Sequence, residues 1–280
     1  MSNIVSAILS GDAPASAAMG RANLYDALNA GATGRLPFLG GSAKIDAGQS
    51  VGVLSAVLYM QPANESGREA CAGRSAGCTA ACLAESTGRM SYKGPRRARR
   101  RRHASFYADR RRFLADLHAE IQAHERKAKH AGKIAAIRLN GTTDLPWHRM
   151  PFTDSDGIRW ANLHTANPGV QFYDYTKLPL AIQRKGSIPP NLHLTFSLSD
   201  REDSDRHATA YLAAGLNVAM VAAIAKHAGP ATVLLGGHTW PTIDGDEHDA
   251  RFLDFPGSVV LLAAKGRAKR DETGFVRTIA

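Results

Sequence analysis

The chain is poor in cysteine and has no long apolar run. Its 280 residues contain three cysteines, and no stretch approaches the roughly 18 consecutive apolar residues that mark a membrane-spanning helix. Three cysteines cannot build the disulfide framework of a small secreted domain, because one thiol is left over. The phosphate loops G-x-x-x-x-G-K-S/T and G-x-G-x-x-G are both missing, which removes nucleotide binding of those kinds. Ser197 and Ser199 lie in no G-x-S-x-G elbow, so a hydrolase triad is not supported. The opening residues, MSNIVSAILSGDAPASAAMG, lack the basic start of an export signal. The expected compartment is therefore a reducing cytoplasm, with no membrane partner.

The few cysteines are gathered in one place. Cys71, Cys78 and Cys82 fall in the segment CAGRSAGCTAACL, spaced C-x6-C-x3-C. In a reducing compartment such clustering points to a shared inorganic ligand. Three thiolates hold an iron–sulfur cluster with one iron left open, or a zinc ion if a fourth ligand joins them. His103 is the nearest histidine that follows in sequence; His148, His193 and His238 need tertiary structure to reach the trio. Alternatively Cys78 and Cys82, at helical i and i+4, pack as small apolar groups.

Charge is as unevenly spread as sulfur. The formal charge is +10. Positions 93–112 hold ten basic side chains against the single acid Asp109, which is nearly the whole excess. Arg96, Arg97, Arg99, Arg100, Arg101 and Arg102 form its densest part. Consecutive arginines on a helix point all round it, and their forks match phosphate oxygens bidentately. A nucleic-acid backbone is the natural partner, bound in a salt-sensitive and sequence-independent way. The plainer alternative is a solvated helix face.

The rhythm of apolar residues gives an α/β protein. Residues 51–59, 133–140, 170–176, 191–199, 217–224, 231–237 and 258–266 read as strands, and most are apolar throughout, which suits parallel strands covered on both faces. Helical pattern is expected over 23–29, 155–165, 206–214 and from Pro95 to Gly132, with a break near Asp109. In that long stretch Phe106, Phe113, Leu117 and Ile121 share one face. Alternation of strand and helix predicts an incomplete (β/α) barrel of six or seven mostly parallel strands, with a doubly wound sheet as the other topology. Residues 1–37 are expected as a loose N-terminal arm, and 38–280 as one domain with a basic helical insertion at about 93–131.

In such folds chemistry collects at the carboxyl ends of the strands. There the sequence places Asp144, Asp174 and Lys177, candidate groups for holding or attacking a substrate. The cysteine loop follows the first long strand and is expected on the same rim. Arg138, inside a strand, is expected to reach a carboxylate or a substrate near the core. The acidic segment DGDEHDARFLD brings Asp246 and His248, which suit a divalent metal or an ordinary acid-rich turn.

Several of these pieces occur together in a known family. The chain resembles the uncharacterised phage "gene product 88"-like proteins in GGSAK before the first long strand, the C-x6-C-x3-C loop, RLNGTTD, FYDYTK, LHLTFS, IDGDEHDARFLD and AAKGRAKRDETGFV. The resemblance spans most of the chain after about residue 38 and implies a phage or prophage origin, hence a host cytoplasm. It brings no activity with it. The position of the cysteine loop is also similar to that in radical S-adenosylmethionine enzymes, although their usual spacing is C-x3-C-x2-C.

Three functions are therefore expected in competition. The first is an iron–sulfur, radical-S-adenosylmethionine-like enzyme acting on nucleic acid or a nucleotide. Cys71, Cys78 and Cys82 would hold the cluster, Asp144, Asp174 and Lys177 the reacting group, and Arg99, Arg100, Arg101 and Arg102 the backbone phosphate. The second is a zinc-containing, transglycosylase-like base-exchange enzyme with an aspartate nucleophile. The third is a zinc-stapled nucleic-acid-binding protein without chemistry.

Overall fold

The computed structural model describes residues 2–21, 23–32, 34–41, 46–63, 67–86, 88–184 and 188–279. Residues 42–44 of the GGSAK motif lie outside them. Among the described residues nine strands join in one sheet. In chain order they are β1 (Leu39–Gly40), β2 (Val53–Leu58), β3 (Ile134–Arg138), β4 (Gln171–Thr176), β5 (Leu192–Ser197), β6 (Val218–Ala222), β7 (Thr232–Leu235), β8 (His238–Asp244) and β9 (Val259–Ala263). Their spatial order is β7-β8-β9-β6-β5-β4-β3-β2-β1. Every pairing from β2 to β8 is parallel, while β1 and β7 pair antiparallel at the two edges. No pairing joins the edges among the described residues, so the sheet is open.

Each expected strand is present, and the short edge strand β1 and β8 are additions. β7 turns directly into β8 through Gly236 and Gly237, which have φ of 59° and 80°. Two successive left-handed residues make the two-residue hairpin turn that matches strand twist. The expected helix over 155–165 is mostly absent. Asp154 instead accepts bonds from the amides of Asp156 and Ile158 (3.0 and 2.9 Å) and from Trp160 Nε1 (2.7 Å). This side-chain turn closes a small antiparallel ribbon of Phe152–Thr153 with Arg159–Trp160 and leaves helix only at Leu163–Ala166.

The long helical stretch divides where Asp109 caps a new helix, accepting from the Arg112 amide at 3.0 Å. The helices on either side are Lys93–Ala108 and Arg110–His130. With α1 (Ser2–Ser10), α2 (Asn23–Asn29), α3 (Ala76–Ala80) and α4 (Leu83–Ser86) before them, they are α5 and α6. Phe113, Leu117 and Ile121 are fully buried and Phe106 nearly so, in one cluster with Ile137 of β3 and Phe172 of β4. Burial of each such side chain contributes roughly 1.5–3 kcal/mol. A second cluster on the same sheet face packs Tyr211 and Leu212 of the helix Ser204–Ala213 against Phe196, Val218 and Val259. The other face is covered by irregular chain. Ala250 and Phe252 lie over Val53 and Tyr173, and Phe275 packs with Cys78, Ala81 and Ala268.

The described part of residues 1–37, expected as a loose arm, is folded onto α5 and α6. Ile8, Leu24, Tyr25 and Leu28 are buried in the main cluster, and the Tyr25 hydroxyl donates to Asp116 at 2.7 Å. The arginine run supplies the attachment. Arg100 donates to the Ser10 carbonyl at 2.6 Å, and Arg101 to Asn29 Oδ1 at 2.6 Å and the Pro37 carbonyl at 2.5 Å. Arg99 reaches the carbonyls of Met90 (2.8 Å) and Ala84 (2.9 Å), and Arg102 that of Tyr59 (3.3 Å). Arg99 and Arg101 are buried. These guanidinium groups are engaged within the fold, whereas Arg97, Arg110 and Arg111 are exposed. Removing a buried donor strands its acceptors, so Arg99→Met is expected to cost about 2–4 kcal/mol and Arg97→Ala less than about 0.5 kcal/mol. Urea denaturation of the two variants measures the contrast, and equal losses would refute the structural role of Arg99.

Candidate functional site

The cysteine loop lies across the carboxyl ends of the central strands. Cys71 forms an isolated parallel bridge with Asp144, whose amide donates to the Ala70 carbonyl at 2.8 Å. Further on, Ser75 caps α3 by accepting from the Cys78 amide at 3.1 Å. Its hydroxyl donates to Asp200 Oδ1, and Asp200 Oδ2 accepts from the Gly77 amide at 3.1 Å. Two glycines make this contact possible. A Cβ on Gly73 would lie 2.8 Å from the backbone of Lys177, and one on Gly77 would lie 2.1 Å from Thr273 Oγ1 and 2.7 Å from Phe275 Cβ. The loop is thereby clamped between the ends of β4 and β5 and the C-terminal tail.

Lys177 stands in the middle of this rim. Its ammonium donates to Ser197 Oγ at 2.8 Å and to the carbonyls of Ser197 and Leu198 at 3.2 Å each, and lies 5.2 Å from the Phe275 ring centre. Burial pulls the Lys177 pKa below its ordinary value; charge on Cys78, Asp144, Asp200 or Cys71 pulls it back up. The Asp144 carboxylate accepts from the Lys177 amide at 2.9 Å and from Thr176 Oγ1 at 3.2 Å. Burial pushes its pKa to about 6 against those bonds. The Cys71 thiol lies 3.8 Å from the Thr142 carbonyl. Burial chiefly, and then charge on Asp144, Cys78 and Cys82, pushes it up to about 12. Cys71 is thus a neutral thiol at neutral pH, and a bound cation is what would draw its proton off.

The candidates from sequence therefore part company. Cys71, Asp144 and Lys177 meet on one rim, with Cys78 and Cys82 near enough for their charge to reach Cys71. Asp174 points through the sheet to the helix side. It accepts from the Asn140 amide at 2.7 Å and, with Asn140, Asp144, Trp147, His148, His164 and Gln183, lines a cavity of about 10 Å³. Burial raises its pKa to about 7, and Asp144 adds to the rise. The acidic segment 243–254 is tied down: Asp246 accepts from the Ala263 amide at 3.0 Å and from Lys265. Beside the loop an open depression of about 570 Å³ is lined by Glu69, Arg74, Ser75 and Thr79 with three alanines, a volume typical of small-ligand sites. Sequence reasoning missed Ser75, Gly73, Gly77 and Phe275. The one available signal was the capping pattern of Ser75 ahead of a short helix.

Among the described residues no group of three or more His, Cys, Asp or Glu side chains is arranged to hold a metal ion, and no helix is long and apolar enough to cross a membrane. An open, mostly parallel sheet with helices on one face and a loop-built polar rim at its strand ends defines the chain as an α/β protein. The profile of the phage Gene product 88 family matches residues 36–279, and the chain belongs to that family. No curated protein and no solved structure matches it, and the likeness to radical S-adenosylmethionine enzymes finds no support in these comparisons.

The two raised carboxylates give a pH dependence of definite sign. Below the ordinary Asp value of 3.8 both states are protonated. As pH rises, the unfolded chain ionises first, while the folded chain holds its protons to about 6 and 7. These two groups therefore make the fold less stable as pH climbs through that window. The isosteric Asp174→Asn keeps an acceptor for the Asn140 amide and removes the ionisation. Its thermal midpoint is expected to fall less than that of the unaltered chain between pH 5 and 8, and parallel curves would refute the assignment.

Proposed function

We propose that the chain is a phage iron–sulfur enzyme whose active site is the rim around Cys71, Cys78 and Cys82, with nucleic acid or a nucleotide as substrate. The observation that carries this reading is the placement of all three thiols on the loop after the first long parallel strand, beside the half-buried amine of Lys177. The run of parallel neighbours β2, β3, β4, β5, β6 and β9, almost in chain order with helices on one face, supports an incomplete (β/α) barrel. The donor set fits a cluster in element and number, and leaves one iron without a protein thiolate. It does not fit in distance, because the thiols are not drawn together at ligating range. Cluster insertion therefore requires the three thiols of the segment 71–82 to draw together. S-adenosylmethionine as the ligand of the open iron belongs to the same proposal.

The nucleic-acid part has narrower support than the charge count offered. Arg97, Arg110, Arg111 and Arg112 are the exposed arginines of the basic stretch, Arg112 paired with Asp26, while Arg99 and Arg101 serve the interior. The aspartate-nucleophile alternative has less support. Asp174 faces the helix side, and the Asp144 carboxylate accepts two bonds from the end of β4.

Anaerobic purification followed by reconstitution with ferrous iron and sulfide tests the reading. The expected product is brown, with a broad visible charge-transfer band and matched iron and sulfide, and the colour is lost in C71A, C78A and C82A alike. A colourless chain that retains zinc through the same cysteines would transfer the site to the zinc reading. Retention of neither would remove both.

A further inference from the structure

The sheet face away from the helices is apolar around Val53, Ala136 and Tyr173, but polar side chains interrupt it where a parallel sheet is ordinarily apolar throughout. On four adjacent central strands its inward positions carry Ser55, Arg138, Tyr173, Tyr175, His193, Thr195 and Ser197. In register, Arg138 lies opposite Val57, Tyr173 opposite His193, and Tyr175 opposite Thr195. The Arg138 guanidinium sits 4.6 Å from the Tyr175 ring centre and donates to Asp249 Oδ2 at 3.0 Å. Asp249 Oδ1 also accepts from the Tyr175 hydroxyl at 3.4 Å. Asp249 belongs to a strap between β8 and β9 whose regular structure is a single turn, Arg251–Leu253. Asp246 and β9 pin the ends of the strap, and its far side exposes Leu253 and Phe255, the latter at 82%.

A half-buried ion pair of this kind adds little net stability compared with an apolar filling, so polar side chains under a strap call for another reason. Two side chains point to one. Thr195 is completely buried, and neither its Oγ1 nor His193 Nε2 has a hydrogen-bond partner among the described residues. A hydroxyl left bare in an interior is costly. On the same face, two strands away, Arg138 lies against the Tyr175 ring, and the charge of Arg251 in the strap reaches His193; the set has the composition of an oxyanion site with a polar floor.

We propose that this face binds a ligand bearing an oxyanion, with Arg138 as its anchor, and that Asp249 occupies the anchor until the ligand displaces the strap 247–255. The Asp249 carboxylate stands in for the ligand's own phosphate or carboxylate group. Thr195 and His193 then complete their hydrogen bonding to the ligand rather than to protein. The site requires no metal centre on the rim, so its success or failure is independent of the iron–sulfur reading.

Asp249→Asn keeps the shape of the strap and removes the competing charge. Calorimetric titration of the full chain with inorganic phosphate, and separately with acetate, is expected to show binding to D249N about tenfold tighter than to the unaltered chain, because the closed strap no longer taxes the site. The gain is expected to vanish in D249N/R138Q. A larger gain with phosphate assigns a phosphate ligand, and a larger gain with acetate a carboxylate. Equal affinities in D249N and the unaltered chain, or binding that survives the loss of Arg138, overturn the proposal. Should D249N fail to fold, the unaltered chain decides by hydrogen exchange. Amide exchange over 247–255 must quicken when phosphate or acetate is added, and unchanged exchange overturns the proposal equally.

Discussion

A guanidinium group carries several donors and cannot shed its charge at any ordinary pH, so burying one obliges the surrounding chain to supply acceptors. Helix α5 buries Arg99 and Arg101, and Arg100 and Arg102 also bond inward. Their acceptors come from four separate places: the end of α1, the turn after α2, the exit of β2, and the segment that leaves the cysteine loop. The helix is thus a hub. The N-terminal residues and the loop that carries the cysteines are both attached to the sheet through it.

That attachment explains how an irregular loop is held at the strand ends. From Ala84 onward the chain is fixed by Arg99, and before that by the bridge between Cys71 and Asp144 and by the Ser75–Asp200 cap. Between these anchors Gly73 and Gly77 allow backbone to touch backbone and tail. The thiols are consequently confined to one small region without being locked at ligating distance.

The sheet has two unlike faces, and the contrast separates stability from chemistry. The face under α5, α6 and the helix Ser204–Ala213 is filled by Leu, Ile, Val and Phe in two continuous clusters. The opposite face carries arginine, tyrosine, histidine and threonine beneath a strap with little regular structure. Folding is accounted for by the first face. The second combines the apolar cluster of Val53, Ala136 and Tyr173 with polar side chains that are costly to bury.

Local pattern was sufficient for most of the elements. Runs of β-branched and aliphatic residues marked β2 to β7 and β9, and the four-residue recurrence of Phe113, Leu117 and Ile121 marked α6, because both signals depend on neighbours close in sequence. The hairpin into β8 was hidden by proline and polar residues, and the ribbon over 152–160 by a single aspartate turn. At the site, sequence alone placed Cys71, Asp144 and Lys177 at strand ends, where parallel topology leaves them facing a common rim. It could not separate Asp174, which alternation turns to the helix side, from Asp144, which lies beyond its strand. Nor could it tell that a run of arginines faces inward. Arg101 and its acceptor Asn29 are 72 residues apart, and Arg138 and Asp249 are 111 apart. Whether a charge meets water, phosphate or a carbonyl depends on which distant segment folds over it, and only the tertiary structure decides that.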